Sequence, residues 1–492
     1  MSDVVVPPSA VRRLHLPRTS PRPSAHPWLP VVVGVGIAVI ASLTWIQWWH
    51  PYIEHDDWDM LLPNGPTFVE NHSLRLLYEG RWLNNWWWMF GSQGLSPRGA
   101  ALLYAAAWIV VVAVVVRSFS IRWWSVPAVT ALYAAPMMAA LSFWPATLAA
   151  PMWMLALTVS LLWATRERWT LHLVILATGT VVISLGYPPL ALILLAFLVA
   201  LHHRRTWAQL AVLAASFVVA YVAGILLVFT LNDLRFGLFG LKIQGWRHPS
   251  ALTGLTTLRH HLHTVDQNWV DVLRPIALPL IAGIGALVAA LTAPPLRRRL
   301  GVLALALVIG AGLSASSTIL NGVNVPTRAM GWFWPLLVLG AVWGLRAVTA
   351  PARIVAGVAL TFIAAWSALY AAYATLGHQS DRAGLNALRS VVEAHYDNDP
   401  DARIVFAIPH LKPSAAERQA VWQVGNALAK LDGITKVSAC TGCRLIRSPI
   451  DPARPRTWVF DFHGAIVVQL PPSLGRSGLH AKAEPRWLVP LG

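Results

Sequence analysis

The chain has 492 residues, 56% of them hydrophobic and only 12% charged, with 26 tryptophans and a mean hydropathy of +0.55. A composition this apolar excludes an ordinary soluble domain and points to an α-helical polytopic membrane protein. The formal net charge of +17 sits in short basic clusters between apolar runs, not in one patch, so the chain reads as having topology determinants and no nucleic-acid surface.

In chain order, residues 1–27 are rich in Pro and Ser, carry Arg12, Arg13, Arg18 and Arg22, and predict a disordered, basic, cytoplasmic N-terminus. The run from Trp28 to Trp49 is too long for a signal-peptide core and lacks a small-residue cleavage site, so it is expected to remain as a membrane anchor. Further apolar runs lie at 98–116, 123–142, 145–164, 169–186, 188–202, 207–230, 273–293, 300–319, 329–347 and 353–376. At ~20 residues per crossing they predict about 11 transmembrane helices. The arginines alternate between turns. Arg117/Arg122, Arg166/Arg168, Arg204/Arg205, Arg297/Arg298/Arg299 and Arg346/Arg353 fall on the side of the N-terminus, whereas the turns at Ser142–Pro145, Gly186–Pro189 and Asn321–Thr327 contain no Lys or Arg. This asymmetry predicts the N-terminus inside and the C-terminus outside the cytoplasmic membrane.

Three longer segments then face outward: 50–97, 231–272 and 377–492. The last turns polar and predicts a small extracytoplasmic α/β domain. It has helical patterns near Arg382–Ala394 and Pro413–Leu431, and strand patterns at Arg403–Ile408, Trp458–Phe462 and Ala465–Leu470. It also holds both cysteines, Cys440 and Cys443. With no second Cys pair or His pair beside them, they read as a structural disulfide in an oxidising compartment.

The first outer segment opens with Glu54-His55-Asp56-Asp57-Trp58-Asp59, four carboxylates in six residues directly after an apolar run. Carboxylates this close raise one another's pKa and are costly beside a bilayer, which suggests proton-transfer or cation chemistry; a solvated acidic turn is the alternative. A turn at Pro63-Asn64-Gly65-Pro66 follows, then an amphipathic helix starting near Thr67. Thr67 and Glu70 fit a capping box, and Arg75 and Glu79 form an i,i+4 pair. The helix ends at Gly80-Arg81-Trp82, and Trp86-Trp87-Trp88 reads as an aromatic belt at the headgroup level. Carboxylates and Arg81 would thus meet where a lipid phosphate lies.

The acidic pair Asp56-Asp57 in the first outer loop, followed by Leu74-Arg75-Leu76-Leu77-Tyr78-Glu79-Gly80-Arg81-Trp82 and a series of short-looped spans, resembles bacterial GT-C glycosyltransferases, in particular the type-II O-antigen glucosyltransferases. The resemblance covers residues 28–376, with specific motifs in 54–82. It implies a GT-C-like catalytic membrane domain, a polyprenyl-phosphate sugar donor, and an acidic residue of the first outer loop, Asp56 or Asp57, as catalytic base. Residues 377–492 lie outside it.

The residues themselves agree with that chemistry. Transfer of a sugar to a hydroxyl needs a base for the acceptor proton and cations for the departing phosphate. Arg81 and Arg328 are the expected phosphate ligands, Arg328 standing at the outer mouth of a span just after Pro326-Thr327; Arg235 and Lys242 are weaker candidates. Glu54, His55, Trp58, Arg75, Trp82 and Tyr187 are the supporting residues. Trp144 and Tyr187, each before a proline, fit a sugar or prenyl pocket or an interfacial anchor. Clustered hard oxygens suit Mg²⁺ or Ca²⁺, so Asp56 and Asp57 are the ligands if a divalent cation takes part. The stretch Arg259-His260-His261-Leu262-His263 lacks the i,i+4 histidine pair of a zinc enzyme and reads as a solvated loop face.

The expected function is transfer of a sugar from a polyprenyl-phosphate donor to a cell-envelope glycan or lipid acceptor on the outer face of the cytoplasmic membrane, with inversion. The alternatives are a transporter or flippase, or a polymerase, of lipid-linked saccharides. A transporter should carry ionisable residues near mid-membrane, and here those positions are nearly uncharged.

Overall fold

The computed structural model describes residues 42, 45–63, 72–119, 125–243, 247, 249–291, 294–346, 349–396, 403–408, 415–434, 436–441, 458–462 and 465–469. The N-terminal segment 1–27, most of the first expected span, the Thr67/Glu70 capping box and Cys443 lie outside these residues.

Two short helices follow the acidic loop, α1 (His72–Tyr78) and α2 (Trp82–Phe90). The bundle then runs through α3 (Pro97–Ser118), α4 (Ser125–Tyr133), α5 (Pro136–Leu141), α6 (Pro145–Ala164), α7 (Trp169–Ser184), α8 (Pro188–Ala191), α9 (Ile193–His202) and α10 (Trp207–Phe236). It continues with α11 (Leu255–Leu273), α12 (Ala277–Leu291), α13 (Pro294–Asn321), α14 (Phe333–Gly344) and α15 (Ala350–Tyr396). Among the described residues six helices are long and apolar enough to cross a membrane: Pro97–Ser118, Pro145–Ala164, Trp207–Phe236, Leu255–Val288, Leu296–Asn321 and Ala350–Gln379. Their outer faces carry exposed Val219, Ile281, Val308 and Val358, each more than 60% accessible, as lipid-facing side chains should be. The chain is an α-helical membrane protein.

Prolines account for the local starts. Pro97, Pro136, Pro145 and Pro188 open their helices, where the missing amide hydrogen costs nothing. Pro136 also breaks the run expected as one span at 123–142, because a proline inside a helix clashes with the preceding turn. The run 188–202 is likewise divided, at Leu192. Close helix approach replaces hydrophobic driving force inside lipid. A Cβ on Gly224 of α10 would lie 2.8 Å from the Ser184 Cβ of α7, so only glycine lets these two helices meet.

Three boundaries differ from expectation. Segment 231–272 is largely helical: α10 runs on to Phe236, ending at Gly237 with φ +67, and α11 begins at Leu255. His261, expected on a solvated face, is fully buried. Its Nε2 lies 2.8 Å from Ser250 Oγ and its Nδ1 2.8 Å from the Ile319 carbonyl, tying α11 to the end of α13. The boundary at 377 falls inside α15, a single 47-residue helix that absorbs the helix expected at Arg382–Ala394. At 1.5 Å per residue it is about 70 Å long, more than twice a bilayer core of ~30 Å, so its C-terminal part projects beyond the bundle.

That projection meets the remaining elements: β1 (Arg403–Ile408), α16 (Ala415–Asp432), β2 (Val437–Thr441), β3 (Trp458–Phe462) and β4 (Ala465–Gln469). The sheet order is β2-β1-β4-β3. β1 is parallel to both neighbours, with Ile404 opposite Val437 and Ile466, and β3 is antiparallel to β4. The strands at 403–408, 458–462 and 465–469 match the alternation in the sequence; β2 was not expected. It carries Cys440, which is disulfide-bonded.

Ile404 and Phe406 of β1 and Val421, Val424 and Leu428 of α16 share one core with Ile53, Trp58, Met60 and Leu61 of the acidic loop. The C-terminal elements are therefore packed onto the loop that carries the carboxylates. At the opposite end of the bundle the basic turns meet one another, Arg298 donating to the Arg205 carbonyl, Arg205 to that of Arg166 and Arg346 to that of Phe119.

Candidate active site

The acidic loop is held rigid by its own backbone and by the turn before α6. Gln47 donates to the Tyr52 and Ser142 carbonyls, the Glu54 amide donates to Phe143 O, and Trp58 Nε1 closes residues 53–58 by donating to Ile53 O at 3.1 Å. Within that frame the four carboxylates point to four different tasks.

Asp57 is fully buried and acts as a helix cap. Its Oδ2 accepts from the Ala146 amide at 2.8 Å and its Oδ1 from the Thr147 amide at 2.6 Å, the second and third residues of α6. Trp144, the residue at the cap position itself, makes no such bond. Asp57 thus supplies from a distance what an N-cap Ser or Asp supplies locally. Burial pushes its carboxyl up to about 7, against the hydrogen bonds from Thr147 and Ala146 that favour the ionised form.

Asp56 remains partly accessible. Its Oδ1 accepts from Trp144 Nε1 at 2.6 Å, and the Arg328 guanidinium lies over the same indole, 4.0 Å from the ring centroid. Burial works to raise the Asp56 pKa, yet His55, Arg75, Arg328 and Arg81 outweigh it and hold the carboxyl well below its ordinary value. For His55 burial opposes protonation, and Asp56 and Glu54 prevail and raise its pKa. Glu54 is buried, with its Oε2 3.3 Å from His55 Nδ1.

Asp59 fastens the C-terminal elements. Its Oδ1 accepts from Trp422 Nε1 at 3.0 Å and Asn426 Nδ2 at 2.6 Å, both on α16, while its Oδ2 lies 3.4 Å from Arg75 Nη1. Arg75 does not pair with Glu79 as its spacing suggested. It is buried, lies over the Trp422 ring at 4.9 Å, and donates to the Asp56 carbonyl at 3.4 Å.

The motif Gly80-Arg81-Trp82 aims Arg81. Gly80 has φ +76, and a Cβ there would lie 2.5 Å from Val228 Cγ1 and 2.6 Å from Leu241 Cδ2. Trp82 Nε1 donates to Asn232 Oδ1 at 2.9 Å, fixing the start of α2 against α10. Arg81 between them pairs with Glu79 at 3.1 Å and lies within the field of Asp56 and Tyr187. The tryptophan belt is not a belt. Trp87 Nε1 donates to Ala146 O and Trp88 Nε1 to Leu62 O, and only Trp86 of the three is exposed.

Arg81 and Arg328 both act electrostatically on Asp56, and Tyr187 acts on Arg81. One further cation joins them. Burial lowers the Arg247 pKa and Arg81 lowers it further, with Glu79, Tyr187 and Arg328 also within its field. Arg247 lies five residues beyond Lys242 in the sequence, where no motif marks it; its position comes from Ser250 N and Asn324 N, which bond this segment to the turn after α13. Arg235 and Lys242 are exposed, Lys242 resting over Tyr78.

The donor set for a divalent cation is thin. Among the described residues no three His, Cys, Asp or Glu side chains converge, and both Asp57 oxygens are taken by amides. The two carboxylates thus face different partners, Asp57 the amides of α6 and Asp56 the Trp144 indole. No protein-family model, curated protein or solved structure matches the chain.

Proposed function

We propose that the chain is a membrane glycosyltransferase of GT-C-like architecture. It moves a sugar from a polyprenyl-phosphate donor to a cell-envelope glycan or lipid acceptor on the outer face of the cytoplasmic membrane. Its crossings number about 11, counting with the six long helices the expected anchor at 28–49, the divided runs 123–142 and 188–202, α7 and α14 as spans. The observation that carries the reading is a partly accessible carboxylate, Asp56, in the field of Arg75, Arg328 and Arg81 at one end of an apolar bundle.

In this reading Asp56 takes the proton from the acceptor hydroxyl as its oxygen bonds to the anomeric carbon. The bond from that carbon to the phosphate oxygen breaks on the opposite face, inverting the centre, and polyprenyl phosphate departs. Arg81, Arg328 and Arg247 hold the phosphate; the planar guanidinium suits two phosphate oxygens at once. The same charges make the resting Asp56 a weak base. A bound phosphate neutralises them, raises the Asp56 pKa and improves proton acceptance only when the donor is present.

The test is transfer from radiolabelled polyprenyl-phosphate sugars to envelope extract by the purified protein. Asp56→Asn keeps the volume and removes the base, and is expected to lower turnover by ~10²-fold or more with normal membrane insertion. Near-normal turnover in that variant would end the proposal.

A further inference from the structure

At the end of the bundle away from the acidic loop, α9, α10 and α13 leave an apolar groove between them. Its floor is formed by buried Val199, Leu210, Phe217, Val302 and Ala306. Leu305 on its rim is 37% exposed, so the groove opens sideways, where lipid lies. The lined stretches, Leu210 to Phe217 on α10 and Val302 to Ile309 on α13, are each about 10 Å of helix, a third of a ~30 Å bilayer core.

Each wall continues into a basic or aromatic side chain at the groove's basic end. Arg298 stands four residues before Val302, Trp207 three before Leu210, and His203 four after Val199, spacings that keep each on the groove's own face of its helix. Arg298 lies over the Trp207 ring at 5.9 Å and donates to the Arg205 carbonyl. Trp207 rests against Gly301 of α13, where a Cβ would lie 3.5 Å from the indole. Three segments are thus tied together at one mouth.

The charges at that mouth are not balanced. Among the described residues no carboxylate pairs with Arg204, Arg298 or Arg299; Glu167 of the neighbouring turn is engaged with Arg166. Arg299 and His203 both approach the buried Trp343 ring, at 5.9 Å and 5.2 Å from its centroid. Arg299 Nη1 and His203 Nε2 are buried and have no hydrogen-bond partner among the described residues, whereas His203 Nδ1 donates to the Ala200 carbonyl at 3.0 Å. Burial presses the His203 pKa down to about 4, against that hydrogen bond, and Arg299, Arg204 and Arg346 press it further. A topology determinant needs only solvated charge. Desolvated donors without acceptors cost free energy until an anion supplies the acceptor oxygens.

We propose that this groove binds an anionic phospholipid, with one acyl chain against Val199, Leu210, Phe217 and Val302 and the phosphate held by Arg298, Arg204 and Arg299. Continuity of the groove with the mouth selects a lipid over a free phosphate. The absence of a paired acid at the mouth selects an anionic headgroup over a zwitterionic one, whose ammonium would meet only like charge.

The experiment reconstitutes the full chain in nanodiscs of equimolar phosphatidylcholine and phosphatidylglycerol, releases it into detergent, and counts retained lipid by native mass spectrometry. The wild type is expected to keep a single phosphatidylglycerol, enriched about tenfold or more over phosphatidylcholine. Arg204→Gln with Arg298→Gln, both at exposed positions, leaves Arg205, Arg297 and Arg299 to hold the topology and should erase the enrichment. Ala214→Phe, at a half-buried position in the groove wall, fills the groove and should expel the lipid with every charge intact. Arg166→Gln, in the neighbouring turn, should change nothing. Equal retention of the two lipids, an enrichment that survives either groove variant, or full displacement by glycerol 1-phosphate, the headgroup without chains, would overturn the proposal. So would an equal loss in Arg166→Gln, which would reduce the effect to diffuse surface charge.

Discussion

Asp56 and Asp57 are neighbours in the chain with opposite surroundings, and their substitutions should separate accordingly. Asp57→Ala leaves two amides at the start of α6 without a cap and should cost about 1–2 kcal/mol of stability, while Asp57→Asn, which keeps an acceptor oxygen, should cost less and retain transfer. The pH dependence has a definite sign. Burial raises the folded-state pKa of Asp57 from 3.8 to about 7, so the stability this group contributes is full below about 4 and is lost as pH rises toward 7. Thermal unfolding in detergent between pH 4 and 7 should therefore show a shallower fall in Asp57→Asn than in the wild type. For Asp56 the acid limb of donor kcat/KM, which reports the free enzyme, should lie below the usual carboxylate range. His55→Gln removes one of the charges that depress it and should move that limb upward; an unmoved limb would show that the limb does not report Asp56.

Two elements carry the site, and each can be loosened alone. The turn at Gly80 has positive φ and no room for a Cβ, so Gly80→Ala should displace Arg81 and raise the donor KM with a smaller effect on the acceptor. An equal rise in both would mean that Arg81 does not face the donor. The second element is α16. Asp59→Ala removes the shared partner of Trp422, Asn426 and Arg75, a loss of about 1–3 kcal/mol for groups left unsatisfied. Hydrogen exchange should show it as lost protection in α16 with α3 and α6 unchanged; protection lost throughout would instead make Asp59 part of the bundle's own core.

The whole molecule has two unlike ends. One gathers the acidic loop, the turns before α6, α8 and α14, and the C-terminal sheet; the other gathers Arg166, Arg205, Arg298 and Arg346. The excess of arginine predicts that the second end faces the cytoplasm. A periplasm-dependent phosphatase fused at the C-terminus should be active and one inserted in the turn near Arg205 inactive. The reverse pattern would put Asp56 on the cytoplasmic face and remove the argument for a lipid-linked donor.

Apolar run length, proline placement and strand alternation in the sequence determined the membrane class, the helix starts at 145, 188 and 207, and three of the four strands among the described residues. These are local properties, decided by side chains within a turn or two of one another. The Gly80-Arg81-Trp82 motif was legible for the same reason: a glycine that must turn and an indole that must be anchored leave the arginine between them aimed. What the chain could not show locally was which partner each of the clustered carboxylates meets. That was decided by partners about 90 residues away for Asp56 and Asp57 and over 360 away for Asp59. Arg247 joined the site, His261 turned inward, and α15 ran past its expected end for the same physical reason. Hydrogen bonds and packing across the fold set the burial and partners of each of these groups, and neither is encoded in its neighbours along the chain.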